Sequence, residues 1–267
     1  NIYSIPKTKT EQPNAVAIVI GVENYKNIVN APFALNDAKI VSRYFKDVMG
    51  VANVITYTDS QVSGFFFDDI FNSQNGQLAK IVNKGKTDIY VYYSGHGIPD
   101  KDGKDVFLFP YDGKVEMLEK QGYSLNTLYQ NLNQLGAKSI TVILDACFSG
   151  SSRATASLSP ENISNTKGVK VRPVKIMPWV NNPNFTVITS SADDQTSLGF
   201  EQSETGLFTY YFALGLQGEA DLNKDKKITM QELAKYLYNN VEETSKKIRG
   251  EQTPQFYGVN NEVLVEF

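Results

Sequence analysis

A chain of 267 residues, 41% of them hydrophobic and 21% charged, has the makeup of a globular protein with one large domain or two small ones. Its 26 Lys and Arg against 29 Asp and Glu give a net charge of -3, without the basic excess of a nucleic-acid-binding protein. No run approaches the ~18 apolar residues needed to cross a bilayer, and the polar opening residues do not read as a signal peptide.

In chain order, Ala15 to Val22 is a continuous apolar run, as expected for a strand covered on both faces. A helical stripe follows at Ala34, Ala38, Val41, Phe45 and Val48. Val54 to Tyr57 reads as a second strand, Phe65 to about Val82 as helix, and Ile89 to Tyr93, β-branched and aromatic, as a third strand. Val106 to Phe109 is a short peripheral strand. Ser124 caps a helix with its stripe at Leu125, Leu128, Leu132 and Leu135, and Gly136 stops it. Strands are expected at Ile140–Leu144, Phe185–Thr189 and Val263–Val265, and helices at Gly206–Leu216 and Thr229–Lys247. The alternation predicts an α/β fold with a mainly parallel sheet of about six strands, flanked by helices on both faces. The chain reads as one domain: a core at 13–150, an irregular Ser-, Asn-, Pro- and Lys-rich stretch at 151–182, and a C-terminal part at 183–267. A loop that long is functional or disordered.

One cysteine excludes an internal disulfide, and one histidine excludes a multi-His zinc site. Thiol and imidazole chemistry can therefore use only Cys147 and His96. Taken singly, each reads most simply as a buried structural side chain. Their placement changes that. The third strand runs into Ser94-Gly95-His96-Gly97, and the fourth into Asp145-Ala146-Cys147-Phe148-Ser149-Gly150. Ligands of open α/β sheets sit beyond the carboxyl ends of the strands. If these two strands are parallel neighbours, base and nucleophile emerge together. The flanking glycines are expected to let the backbone turn sharply and to free N–H groups for an oxyanion. With no second imidazole, a carbonyl or water must orient His96.

The two motifs resemble the paired His and Cys motifs of the caspase–metacaspase superfamily, where the His precedes the Cys by ~50 residues. The likeness runs from Ala15 to Phe267 and includes Gly21-Val22-Glu23-Asn24-Tyr25, Asn36-Asp37-Ala38, Ser190 to Gln195 and Gly206 to Tyr210. It implies a caspase-like fold and a cysteine endopeptidase with Cys147 as nucleophile and His96 as base. It also implies an oxyanion hole made by the backbone N–H groups of Gly97 and Cys147. True caspases carry Gln two residues before the Cys, with a basic pocket that selects aspartate. Here Asp145 stands at that position. In metacaspases the matching Asp lines an acidic pocket with positions that correspond to Asp37 and Ser94; Asp194 is an additional candidate. Two carboxylates at the base of a cleft favour a guanidinium or ammonium, so the expected substrates are proteins or peptides with Arg or Lys before the cut bond. The plainer readings are a helix N-terminal acid for Asp37 and a strand-end hydrogen-bonding residue for Asp145.

Asp221 to Glu232 has the ligand spacing of a calcium loop: Asp221, Asn223 and Asp225 with side-chain oxygens, Lys227 with its carbonyl, and Glu232 closing. Lys226 stands where a Gly is preferred, and three lysines oppose a cation. Metal binding and a purely structural helix–loop–helix are equally open. The chemistry itself requires no cofactor. A monomer is expected, with self-cleavage at a basic residue among Arg153, Lys167, Lys170, Arg172 and Lys175. The competing functions are a catalytically silent caspase-fold interaction module and a calcium-responsive binding module.

Overall fold

The computed structural model describes residues 1–148, 176–192, 195–248 and 250–267. Strands are β1 (Gln12–Gly21), β2 (Val51–Thr58), β3 (Asp88–Pro99), β4 (Val106–Leu108), β5 (Tyr123–Ser124), β6 (Ser139–Cys147), β7 (Phe185–Thr189), β8 (Gly199–Phe200), β9 (Thr205–Gly206), β10 (Lys227–Thr229), β11 (Gln255–Tyr257) and β12 (Val263–Glu266). Helices are α1 (Ala34–Asp47), α2 (Phe66–Phe71), α3 (Gln77–Ile81), α4 (Leu118–Gln121), α5 (Leu125–Gln134), α6 (Leu207–Leu214) and α7 (Met230–Lys247). None of these helices is long and apolar enough to cross a membrane.

The main sheet has the order β11-β7-β6-β3-β1-β2, with β4 and β5 attached at the end of β3. Along that order the pairs from β2 to β7 are parallel, while β11 at the edge and the attached β4 and β5 pair antiparallel. Successive side chains of a strand point to opposite faces, and the apolar runs therefore feed two cores. Val16, Ile18 and Ile20 join α2, α3 and α5 on one face; Ala15, Ala17 and Val19 join α1, α6 and α7 on the other. Every residue of β3 and β6 is buried, as expected for central strands covered on both sides.

Local signals set most boundaries. The Ser124 hydroxyl accepts from the Thr127 N–H at the start of α5, and Gly136 past its end has φ 67. Thr229 and Glu232 form a reciprocal capping box at the start of α7. Three expectations are corrected. The helix over 65–82 is broken into α2 and α3, because Asn72 Oδ1 accepts from the N–H groups of Gln74 and Asn75 and turns the chain. The terminal strand β12 pairs with β10 in a separate ribbon, while β11 takes the sheet edge. Of the stretch expected to be irregular, Pro178–Val180 forms a helical turn, and Trp179 packs on Tyr129 and Tyr257.

Candidate active site

Strands β3 and β6 are hydrogen-bonded in parallel register, with Ser94 opposite Asp145 and His96 opposite Cys147. The motif Ser94–Gly97 was expected to follow its strand. It lies inside β3, which runs on to Pro99. The two glycines therefore do not turn the chain. They make room: a Cβ on Gly97 would lie 2.5 Å from the Phe148 ring and 3.1 Å from the Cys147 carbonyl. A Cβ on Gly95 would lie 2.6 Å from the Tyr25 hydroxyl.

His96 is buried, and its Nε2 lies 2.8 Å from the Val29 carbonyl. A carbonyl only accepts, so Nε2 carries the proton and the neutral ring keeps its lone pair on Nδ1. The orienting group is thus a backbone carbonyl of the loop between β1 and α1. Tyr25 of the same loop packs against the imidazole with ring centroids 4.7 Å apart.

Cys147 is also buried. Its sulfur accepts from the Ser197 N–H at 3.0 Å, and the thiol faces the Ser197 carbonyl at 3.5 Å. A backbone donor is thus aimed at the sulfur. The Ser197 segment is held from behind by Gln252, which accepts from the Leu198 N–H and donates to the Ser190 carbonyl.

Asp37 and Asp145 are both fully buried at 0% exposure. Asp37 sits in the first turn of α1, but its oxygens serve other elements. Oδ2 accepts from the Ser94 hydroxyl at 2.9 Å, and Oδ1 from the Gly206 N–H at 2.8 Å. Asp145 Oδ1 accepts from Ser197 Oγ at 2.6 Å, and Oδ2 from Thr209 Oγ1 at 2.7 Å. The Tyr92 hydroxyl lies 2.6 Å from Thr209 Oγ1 and continues the chain of donors. Ser94 joins the two acids: it bonds Asp37 through its side chain and faces Asp145 across the ladder. Hydrogen bonds of this kind fix the orientation of buried carboxylates.

The loop from Asp221 to Glu232 lies apart from this cluster. Asp221 accepts from the N–H groups of Asp225 and Lys226, Asn223 from that of Asp225, and Asp225 from that of Lys227. Lys226 takes φ 66, the left-handed backbone that the sixth loop position requires. Glu232 turns one oxygen back onto Thr229 at 3.0 Å, while its Oε1 is buried with no hydrogen bond. Among the described residues no group of three or more His, Cys, Asp or Glu side chains is gathered as a metal cluster. Asp194 and the basic residues Arg153, Lys167, Lys170, Arg172 and Lys175 lie outside the described residues.

Sequence reasoning assigned no role to Tyr25, Val29, Ser197 or Thr209. Tyr25 and Thr209 stood within stretches that carried the family resemblance, and Ser197 lay just beyond one. Val29 acts through its carbonyl, which leaves no side-chain signal at all.

Comparison with known proteins identifies the fold and the family. The family model described as Caspase domain, peptidase family C14, matches residues 14–264. No curated protein matches the sequence. Among solved structures, protein GSU0716 from Geobacter sulfurreducens is 19% identical, with 92% of this chain and 93% of that chain covered and a TM-score of 0.62. Caspase-1 from Spodoptera frugiperda is 13% identical over 98% of this chain and 93% of its own, with a TM-score of 0.60. The fold is thus caspase-like, and with the family model spanning nearly its whole length, this chain belongs to the caspase family of cysteine peptidases.

Proposed function

We propose that this chain hydrolyses peptide bonds after Arg or Lys, with Cys147 as nucleophile and His96 as general base. The observation that carries the reading is the pairing of the chain's one histidine with its one cysteine across adjacent strands. His96 Nδ1 takes the thiol proton while the Val29 carbonyl holds Nε2–H. The Cys147 thiolate attacks the scissile carbonyl carbon, and the N–H groups of Gly97 and Cys147 receive the oxyanion. The C–N bond breaks as His96 returns its proton to the leaving amine. A water, deprotonated by His96, then attacks the thioester, and Cys147 leaves as thiolate.

Asp145 and Asp37 supply the selectivity. Their neutral donors, Ser94, Ser197, Thr209 and the Gly206 N–H, hold the two buried carboxylates in place, and Ser197 links Asp145 to the nucleophile. A basic side chain gains charge-assisted hydrogen bonds there. Ser197 touches both Cys147 and Asp145, so substrate entry requires its segment to draw back.

The test is a fluorogenic peptide panel that varies the residue before the cut, run on wild type and Cys147→Ala. Cleavage after Arg or Lys that vanishes in Cys147→Ala is the expected result; turnover that survives the substitution removes the assignment. An electrophilic Arg-containing peptide that leaves Cys147 unlabelled would instead favour a silent interaction module. Intact-mass comparison of the same two proteins tests self-cleavage between residues 149 and 182, which wild type should show and Cys147→Ala should not.

A further inference from the structure

Strand β1 ends at Gly21, opposite Ser94, so β3 has outrun that neighbour by the time it reaches His96. A residue in that position loses its ladder partners, and buried backbone groups must find others. At His96 two phenols bond the backbone where β1 is missing, and the His96 carbonyl also accepts from the Phe109 N–H at 3.2 Å. The His96 N–H donates to the Tyr25 hydroxyl at 2.8 Å, and the Tyr93 hydroxyl donates to the His96 carbonyl at 2.7 Å. The two hydroxyls lie 3.1 Å apart. Because Tyr93 gives its proton to the carbonyl, Tyr25 donates to Tyr93, and the hydrogen bonds close a ring that begins and ends on His96.

We propose that Tyr25 is a positioning residue for His96, acting with Tyr93 to hold the histidine backbone in register with Cys147. The inference rests on the reading of His96 as the base and adds to it. Three further observations support it. The Tyr25 ring packs on the imidazole, tilted by 37°. Gly95 is the residue that lets the pair approach, since a Cβ there would lie 2.6 Å from one hydroxyl and 2.8 Å from the other. The loop that carries Tyr25 also carries Val29, so one loop holds both the backbone and the ring of His96. That loop is itself pinned, with the N–H groups of Glu23 and Asn24 donating to Asp59 and the Lys26 N–H donating to the Tyr111 carbonyl. The ring of bonds needs both phenols protonated. Burial, and then the neighbouring Tyr93, push Tyr25 well above the ordinary tyrosine value, so it stays protonated at neutral pH.

Tyr25→Phe keeps the packed ring and removes only the hydroxyl. It should lower kcat for a basic peptide by about 10- to 100-fold with KM little changed, since small misplacements of a catalytic group carry losses of that order. His96 is the only histidine, so its ring C–H signals in NMR report its environment without any need for activity. They should shift and broaden in Tyr25→Phe. Tyr93→Phe opens the same ring of bonds, and the double variant should lose no more than the worse single one. If Tyr25→Phe does not fold, Tyr93→Phe decides by the same readings. Full kcat with unmoved His96 signals overturns the proposal, whether or not thermal stability falls. A wild type that cleaves no peptide defeats the peptidase reading alone, because the His96 signals still decide the positioning role.

Discussion

His96 and Cys147 face one another in register across two adjacent parallel strands. Neighbouring strands lie about 4.8 Å apart, so the two reactive residues are brought together by the ladder itself. Two residues earlier the same ladder pairs Ser94 with Asp145, which bonds Ser197 and Thr209. The proposed nucleophile and base therefore share one rung of this strand pair, and the proposed specificity acid lies two rungs before it. Asp37 reaches the cluster from α1 through the Ser94 hydroxyl.

Asp145→Ala should lose most activity on Arg peptides. Breaking a buried charge pair costs roughly 3–5 kcal/mol, which corresponds to about two orders of magnitude or more in kcat/KM. Because Asp145 also anchors Ser197 and Thr209, Asp145→Asn serves as the shape-preserving comparison. It should lose selectivity for Arg with a smaller drop in Tm. A panel in which wild type prefers Asp before the cut would contradict the acidic-pocket reading.

Gly95→Ala places a methyl group on the two tyrosine hydroxyls that bracket His96. Overpacking of a buried site costs about 1–3 kcal/mol. The variant should show a lower Tm together with at least a tenfold fall in kcat. Unchanged kinetics would mean that the tyrosines can give way without disturbing the histidine.

Buried tyrosines set an alkaline limit to stability. Burial pushes Tyr44 and Tyr123 up to about 12, and it raises Tyr25 and Tyr90 as well. In the unfolded chain these phenols ionise near ~10. The folded state therefore holds its protons to higher pH than the unfolded state does. The associated stability is fully present below about pH 10 and is lost as pH rises from there towards 12. Tm measured at constant ionic strength should hold steady to about pH 9 and fall steeply by about pH 11. A Tm that is flat across that range would show that the phenols ionise alike in both states.

Lys226→Gly tests the loop from Asp221 to Glu232. Lys226 is held at φ 66, and a left-handed backbone costs a non-glycine residue about 1–2 kcal/mol. Glycine should raise Tm in the absence of metal. For calcium to bind, Glu232 must release the Thr229 cap and turn its carboxylate into the loop. Binding is therefore expected to be weak, at about 10⁻⁴–10⁻³ M, and tighter in Lys226→Gly than in wild type. Calcium added at millimolar concentration should then raise the Tm of both proteins. No rise in either would leave the loop as a helix connection alone.

Much of the fold was legible because it rests on local chemistry. The continuous apolar runs of β1, β3 and β6 read as strands covered on both faces, and they are. Ser124 announced its helix because a cap is made within three residues of itself. Where prediction failed, the deciding contact was elsewhere. The Asn72 turn interrupted an otherwise helical stripe, and β11 displaced β12 from the sheet edge through pairing that hydropathy does not encode.

By itself the sequence determined that thiol and imidazole chemistry could involve only Cys147 and His96, because it contains one of each. It also placed both at the ends of expected strands, and its family resemblance grouped Asp37, Ser94 and Asp145 in one expected pocket. Only the tertiary structure decided how these residues are held. Asp37 turns from its own helix to Ser94 and to the N–H of Gly206, 169 positions away. His96 takes its backbone support from Tyr25, 71 positions earlier, because β1 stops short beside it. The Cys147 sulfur meets the N–H of Ser197, 50 positions later. Periodicity and spacing report the direction of a side chain along its own element. The donor it meets depends on where neighbouring strands end and which loops close over them, and that is settled by packing across the whole chain.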